Sequence, residues 1–170
     1  MNNTINYVPE KFKAMIHYII NKCESKDNFG RVVLYKLLYF SDFNNYEKYE
    51  ESISGETYIR KSMGPVPIHF HEAIKSLINE DKITETSEKV IDFPKFKYNC
   101  LKKPNVELLS DKELNTIDDT INKISHLYSD EISKYSHGDL PWRLAKDGDE
   151  LNYEAVFYRE PEYSVRKYDD

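Results

Sequence analysis

Apolar residues recur at Phe12, Met15, Ile16, Ile19, Ile20 and Cys23, a spacing that lines one face of a helix, and Pro9 suits its first turn. Over residues 32–43 the apolar side chains, Val33, Leu34, Leu37 and Leu38 among them, spread almost all round, which predicts a central helix contacted on several sides. The character changes over residues 53–67. There Gly55, Gly64, Pro65 and Pro67 punctuate a short extended piece around Thr57, Tyr58 and Ile59, so a strand followed by a rigid loop is expected. Pro67 is suited to open a third helix, with Phe70, Ile74, Leu77 and Ile78 as its apolar face and Asn79, Glu80 and Asp81 at its end.

Between residues 82 and 104, Phe93, Phe96, Tyr98 and Leu101 alternate with polar residues, as in a short hairpin packed on helices. Ser110 and Glu113 form a capping box, and Leu114, Ile117, Ile121 and Ile124 make the stripe of the helix it opens. Ser129 is placed to cap a short helix through Ile132 and Tyr135, and Pro141 to start one carrying Trp142 and Ala145. No repeat, low-complexity stretch or linker divides the chain. The expectation is one domain over residues 1–170, mainly α (α+β), a compact multi-helix fold with a small peripheral β-hairpin.

Charge narrows the choice of partner. The formal net charge of −6 repels nucleic acid phosphates and anionic membrane surfaces. Residues 1–13 lack the apolar core of a signal peptide, and no apolar run approaches the ~20 residues that span a bilayer, so a cytoplasmic location is expected. Cys23 and Cys100 form no CxxC pair and read as two reduced, packed thiols. His69 and His71 would lie about 200° apart on a helix and could not share a metal. The carboxylates of Asp42, Glu47, Glu50 and Glu51 read as a solvated helix end. Neither a metal nor a cofactor is called for.

Two stretches are not accounted for by packing periodicity. In GETYIRKSMGPVP, residues 55–67, Gly64 reaches backbone angles closed to other residues, Pro65 and Pro67 fix their own φ, and Val66 is pushed extended, giving a loop that is stiff before any partner arrives. In SHGDLPW, residues 136–142, an imidazole, a carboxylate and the only tryptophan of the chain fall within one turn and helix start. Tryptophan beside polar neighbours is a common interface anchor. Ser136, His137 and Asp139 are too close in sequence to make a nucleophile, base and orienter by themselves; a structural role for the imidazole is the simpler reading, and no catalytic residue is assigned.

At these residues the chain resembles the Panacea domain, the SocA-type antitoxin domain of bacteria and their phages. KLLYFSDF, the segment Ile53, Gly55 and Tyr58, and the GPVP loop are similar to that family's first signature. SHGDLPW followed by a glycine and an apolar, tyrosine-containing tail is similar to its second. The resemblance implies a compact α-rich fold without catalysis. It also implies a cognate protein toxin as partner, neutralised by direct binding, and for adaptor members of the family an intracellular protease that receives the toxin. It carries motif roles to Gly55, Tyr58, Gly64, Pro65, Val66 and Pro67, and to Ser136, His137, Asp139, Pro141 and Trp142, as interface or as scaffold. Met63 departs from the aromatic residue of many relatives. The alternative function is nucleic-acid binding by a basic wing of Lys95, Lys97, Lys102 and Lys103.

Overall fold

The computed structural model describes residues 5–90 and 93–169. Helix α2 (Arg31–Tyr49) is its centre. Its apolar side chains point to every side, and Val33, Leu34, Leu37, Leu38, Tyr39 and Phe43 are all buried. Each such side chain contributes about 1.5–3 kcal/mol relative to exposure. Around α2 pack α1 (Pro9–Cys23), α4 (Asp111–Ile124), α5 (Ser129–His137) and a 3₁₀ helix (Tyr153–Tyr158). Helix α3 (Phe70–Asn79) lies on α1, and α6 (Leu140–Leu144) on the 3₁₀ helix. The fold is mainly α with small antiparallel β elements, as the periodicity predicts.

Helix α4 opens on the expected capping box, Ser110 Oγ accepting the Glu113 N–H at 3.1 Å and Glu113 Oε1 the Ser110 N–H at 2.9 Å. The expected hairpin is β3 (Ile83–Val90) paired with β4 (Phe93–Cys100), from Ile83 opposite Cys100 to Val90 opposite Phe93. Ile83 and Tyr98 turn into the core. The Phe93 side chain and residues 91 and 92 lie outside the described residues. Cys23 is buried and Cys100 half-buried, both as free thiols, and burial pushes their pKa values up to about 11 and about 12.

Three local expectations need correction. The GPVP segment is a strand, β2 (Gly64–Pro67), paired antiparallel with β1 (Tyr58–Lys61) across a turn at Ser62 and Met63. Pro65 and Pro67 are compatible with this because the sheet has only two strands, so a missing N–H leaves no third strand unserved. Pro67 therefore opens no helix; α3 starts at Phe70 with His69 before it. Likewise Ser129 is the first residue of α5 rather than its cap: the N–H that Glu131 accepts, at 3.1 Å, is that of Tyr128. The other edge of β1 is covered by the segment after α6, with the Arg60 N–H donating to the Asp149 carbonyl at 2.9 Å and the Leu151 N–H to the Tyr58 carbonyl at 2.8 Å.

Candidate functional site

The two motifs meet. Strand β2 packs against α2 and α5, and Gly64, at φ +113°, sits where a Cβ would run into Ser136 Oγ and Lys36 Cε. Beneath it Lys36, 1% exposed, donates from Nζ to the Pro65 carbonyl at 3.2 Å. Burial pushes the pKa of that ammonium down to about 7. Ser136 Oγ, itself buried, donates to the Ser133 carbonyl at 2.7 Å.

The hairpin also fixes α6. The Arg60 guanidinium lies 3.7 Å from the Trp142 ring centroid, and His137 stacks on the same side chain at 4.3 Å. Trp142 Nε1 donates to the Lys61 carbonyl at 3.2 Å. Arg60 Nη1 donates to the carbonyls of Trp142 and Ala145, at 2.9 and 3.1 Å, and so serves acceptors that the end of α6 leaves open. Burial lowers the His137 pKa, helped by the nearby charges of Lys36 and Arg60 and opposed by a backbone hydrogen bond with Ser62.

Asp139 is turned the other way. Fully buried, it caps α6 and accepts from the Tyr39 hydroxyl at 2.7 Å and from Arg159 Nη2 and Nε at 2.7 and 2.9 Å. Arg159 reaches on to Glu47 Oε1 at 3.0 Å and Asn44 Oδ1 at 2.8 Å. Burial works against its charge, but Asp139 and Glu47 outweigh it and raise its pKa. Ser136, His137 and Asp139 thus each engage a different partner, and no relay of nucleophile, base and orienter is formed.

Tyr58 donates its buried hydroxyl to Asp42 Oδ2 at 2.7 Å, where the Ser54 hydroxyl also donates at 2.7 Å; the Ser54 N–H and Ser52 hydroxyl reach Oδ1. Burial pushes the Asp42 pKa up to about 6, against these hydrogen bonds, which hold it down. Gly55, at φ +73°, passes so close to the Asn6 carbonyl that a Cβ would collide with it. Pro65, Pro67 and Pro141 are buried, whereas Val66, His137 and Trp142 are half-exposed and Met63 is 53% exposed. The four lysines of the alternative reading are exposed along β4 and just beyond; Lys95 faces Glu88 across the sheet, and Lys102 Nζ donates to the Glu80 carbonyl at 3.2 Å.

The expectation of a solvated acidic helix end holds for Glu50 and Glu51, which are exposed, and fails for Asp42 and Glu47, which are fully buried and hydrogen-bonded. A helix apolar all round buries its polar positions too, and that signal marks Lys36 and Asp42, whereas Glu47 lies beyond the all-round apolar stretch of residues 32–43. His69 stacks on Tyr7 at 4.1 Å, and its ring Nδ1 and backbone N–H meet the two oxygens of buried Glu56 at 2.6 and 2.8 Å. Neither Glu56 nor Arg159 carries a local sequence signature. Among the described residues no three His, Cys, Asp or Glu side chains group as a metal site, and no helix is long and apolar enough to cross a membrane.

A family model described as antitoxin SocA-like, Panacea domain, matches residues 34–143, a stretch that takes in both motifs. No curated protein and no solved structure matches the chain.

Proposed function

This chain belongs to the antitoxin SocA-like, Panacea domain family, and from that premise we propose that it neutralises a cognate protein toxin in the cytoplasm by binding it directly. The observation that carries this reading is the extent of the match, residues 34–143, well over half of the 170-residue chain. The geometry is consistent with it. Both motifs belong to one hairpin-and-helix unit in which Arg60, Trp142, Ser136 and Asp139 are already held by hydrogen bonds inside the molecule, so little entropy is lost when a partner docks. On this reading Gly55, Tyr58, Gly64, Pro65, Pro67, Ser136, Asp139 and Pro141 hold the unit together, while Val66, His137 and Trp142 lie at its surface and position what the toxin meets.

The test is co-expression with the product of the adjacent gene, scoring growth rescue and co-purification from the same cells. Rescue together with a stable complex is expected. A toxic neighbour that this chain neither rescues nor binds would overturn the reading. His137→Ala, which removes the imidazole but leaves Trp142 and Arg60, is expected to keep rescue; loss of rescue in a folded variant would show that the imidazole itself contributes to the toxin-facing surface.

A further inference from the structure

Helix α6 and the 3₁₀ helix enclose a groove of about 280 Å³. Leu144 and Tyr158, 67% and 78% exposed, are the two most exposed large apolar side chains among the described residues, and both line it. Ala145 and Ala155 add apolar floor, and Glu150 and Glu154 line the same groove, the Glu154 carboxylate accepting from the Tyr46 hydroxyl at 2.5 Å. Neither carboxylate has a cation within ion-pair distance among the described residues, and the nearby cations are engaged elsewhere, Arg143 with Glu160 at 3.2 Å and Arg60 with Asp147 at 3.0 Å. Lys146, the next cation along the chain, does not line the groove.

We propose that this groove seats a basic amphipathic segment of the toxin, apolar side chains entering between Leu144 and Tyr158 and flanking Lys or Arg meeting Glu150 and Glu154; the identity of the partner rests on the antitoxin reading above. Charge complementarity selects the occupant. An apolar floor beside two carboxylates without a counter-ion favours an apolar segment bearing cations over an acidic segment or a nucleic acid. The shallow volume lies at the low end for a whole small molecule and suits side chains of a peptide. Of its lining residues only Pro141 lies within the family-matched stretch. Arg60, by holding the Trp142 and Ala145 carbonyls, fixes the helix end that presents Leu144, so the shared motifs would position a surface that selects the partner.

The full-length chain, labelled with ¹⁵N, would be titrated at physiological salt with a synthetic helical peptide of leucine and lysine, and with the same peptide carrying serine for leucine. Shifts concentrated at the amides of Leu144, Ala155 and Tyr158, absent with the serine peptide, are expected. The double variant Leu144→Ser with Tyr158→Ser should bind the leucine peptide about tenfold more weakly at an unchanged melting temperature, since both side chains are exposed. Shifts scattered over the acidic surface, or an affinity the variant leaves unaltered, would overturn the groove. In the co-expression assay, rescue by the wild-type chain and loss of rescue by the double variant would place the toxin there. Rescue by both would remove the toxin from the groove and leave the antitoxin reading standing. Failure of the wild-type chain to rescue would count against the antitoxin reading, and the peptide titration would then judge the groove by itself.

Discussion

Helix α2 buries charge at both ends, in opposite ways. Toward its start Lys36 meets one backbone carbonyl, that of Pro65, and no carboxylate among the described residues. Toward its end Glu47 meets Arg159, which also takes Asp139, while the Ser164 and Tyr168 hydroxyls and the Val165 N–H donate to the remaining capacity of Glu47. The second site is a closed set in which every charge faces its opposite or a donor. The first is a cation stripped of water with a single acceptor. A complete buried ion cluster adds little beyond what an apolar core would supply but is costly to leave half-made, whereas an unpaired buried lysine is costly while it stays charged. Completeness, not burial, sets what each site contributes.

The largest effect should come from opening the closed set. Arg159→Met removes the one cation between Asp139 and Glu47 and leaves two buried carboxylates without a counter-charge, Asp139 held by Tyr39 and Glu47 by Ser164, Val165 and Tyr168. A loss of about 3–5 kcal/mol is expected in urea denaturation. It should free the segment after Arg159 as well, because Glu47 holds that segment through Ser164 and Val165. A loss below about 1 kcal/mol would mean that the carboxylates relax to water or take up protons, and that the cluster is not a lock.

A smaller effect is expected where the hairpin crosses Lys36. Gly64→Ala combines backbone strain of about 1–3 kcal/mol at φ +113° with a collision against Ser136 and Lys36. Gly148→Ala is the control, for it sits at φ +84° with nothing within 4 Å of its Cβ and should cost about 1–2 kcal/mol. The excess of the first over the second, read from the same denaturation series, measures how tightly the lysine pocket is closed. Equal costs would mean that Lys36 has room to swing aside.

The two sites were not equally legible in the sequence. Helical periodicity locates α1 and α2, a local capping signal locates the start of α4, and Pro141 marks the start of α6. Asp42 and Glu47 read as solvated because carboxylates near a helix end usually are; the all-round apolar character of residues 32–43 argues against this for Asp42, while Glu47 lies beyond that stretch. Arg159 gave no signal, since its role depends on Asp139 and Glu47, 20 and 112 residues away in the chain. Contacts at that separation follow from how helices stack, and no spacing rule encodes them. The GPVP strand reads as a loop in the sequence for a related reason: its pairing with β1 leaves the proline nitrogens unused, which only the two-stranded sheet shows to be harmless.

The subtlest effect separates the sites by pH. A lysine whose pKa falls to about 7 on folding, from 10.5, binds fewer protons folded than unfolded across that interval. Stability must then rise with pH from about 7 upward, and the full gain is reached only above the unfolded value. Between pH 7 and pH 9 this amounts to roughly 2 kcal/mol, at 1.36 kcal/mol per unit of differential binding. Asp42, at about 6, has largely finished titrating, and the buried thiols of Cys23 and Cys100, raised from 9.0 to about 11 and about 12, pull the other way as their unfolded forms ionise, so the lysine's share is read as a difference between two chains that both carry them. Lys36→Met keeps the aliphatic stem beneath Gly64 and removes the ammonium, so it should be more stable than the wild type at pH 7, and that advantage should shrink by roughly 2 kcal/mol by pH 9. Arg159, whose charge is held by two carboxylates, lends no slope there. Parallel curves for the wild type and Lys36→Met would show that the lysine stays protonated, with an acceptor or water at its Nζ.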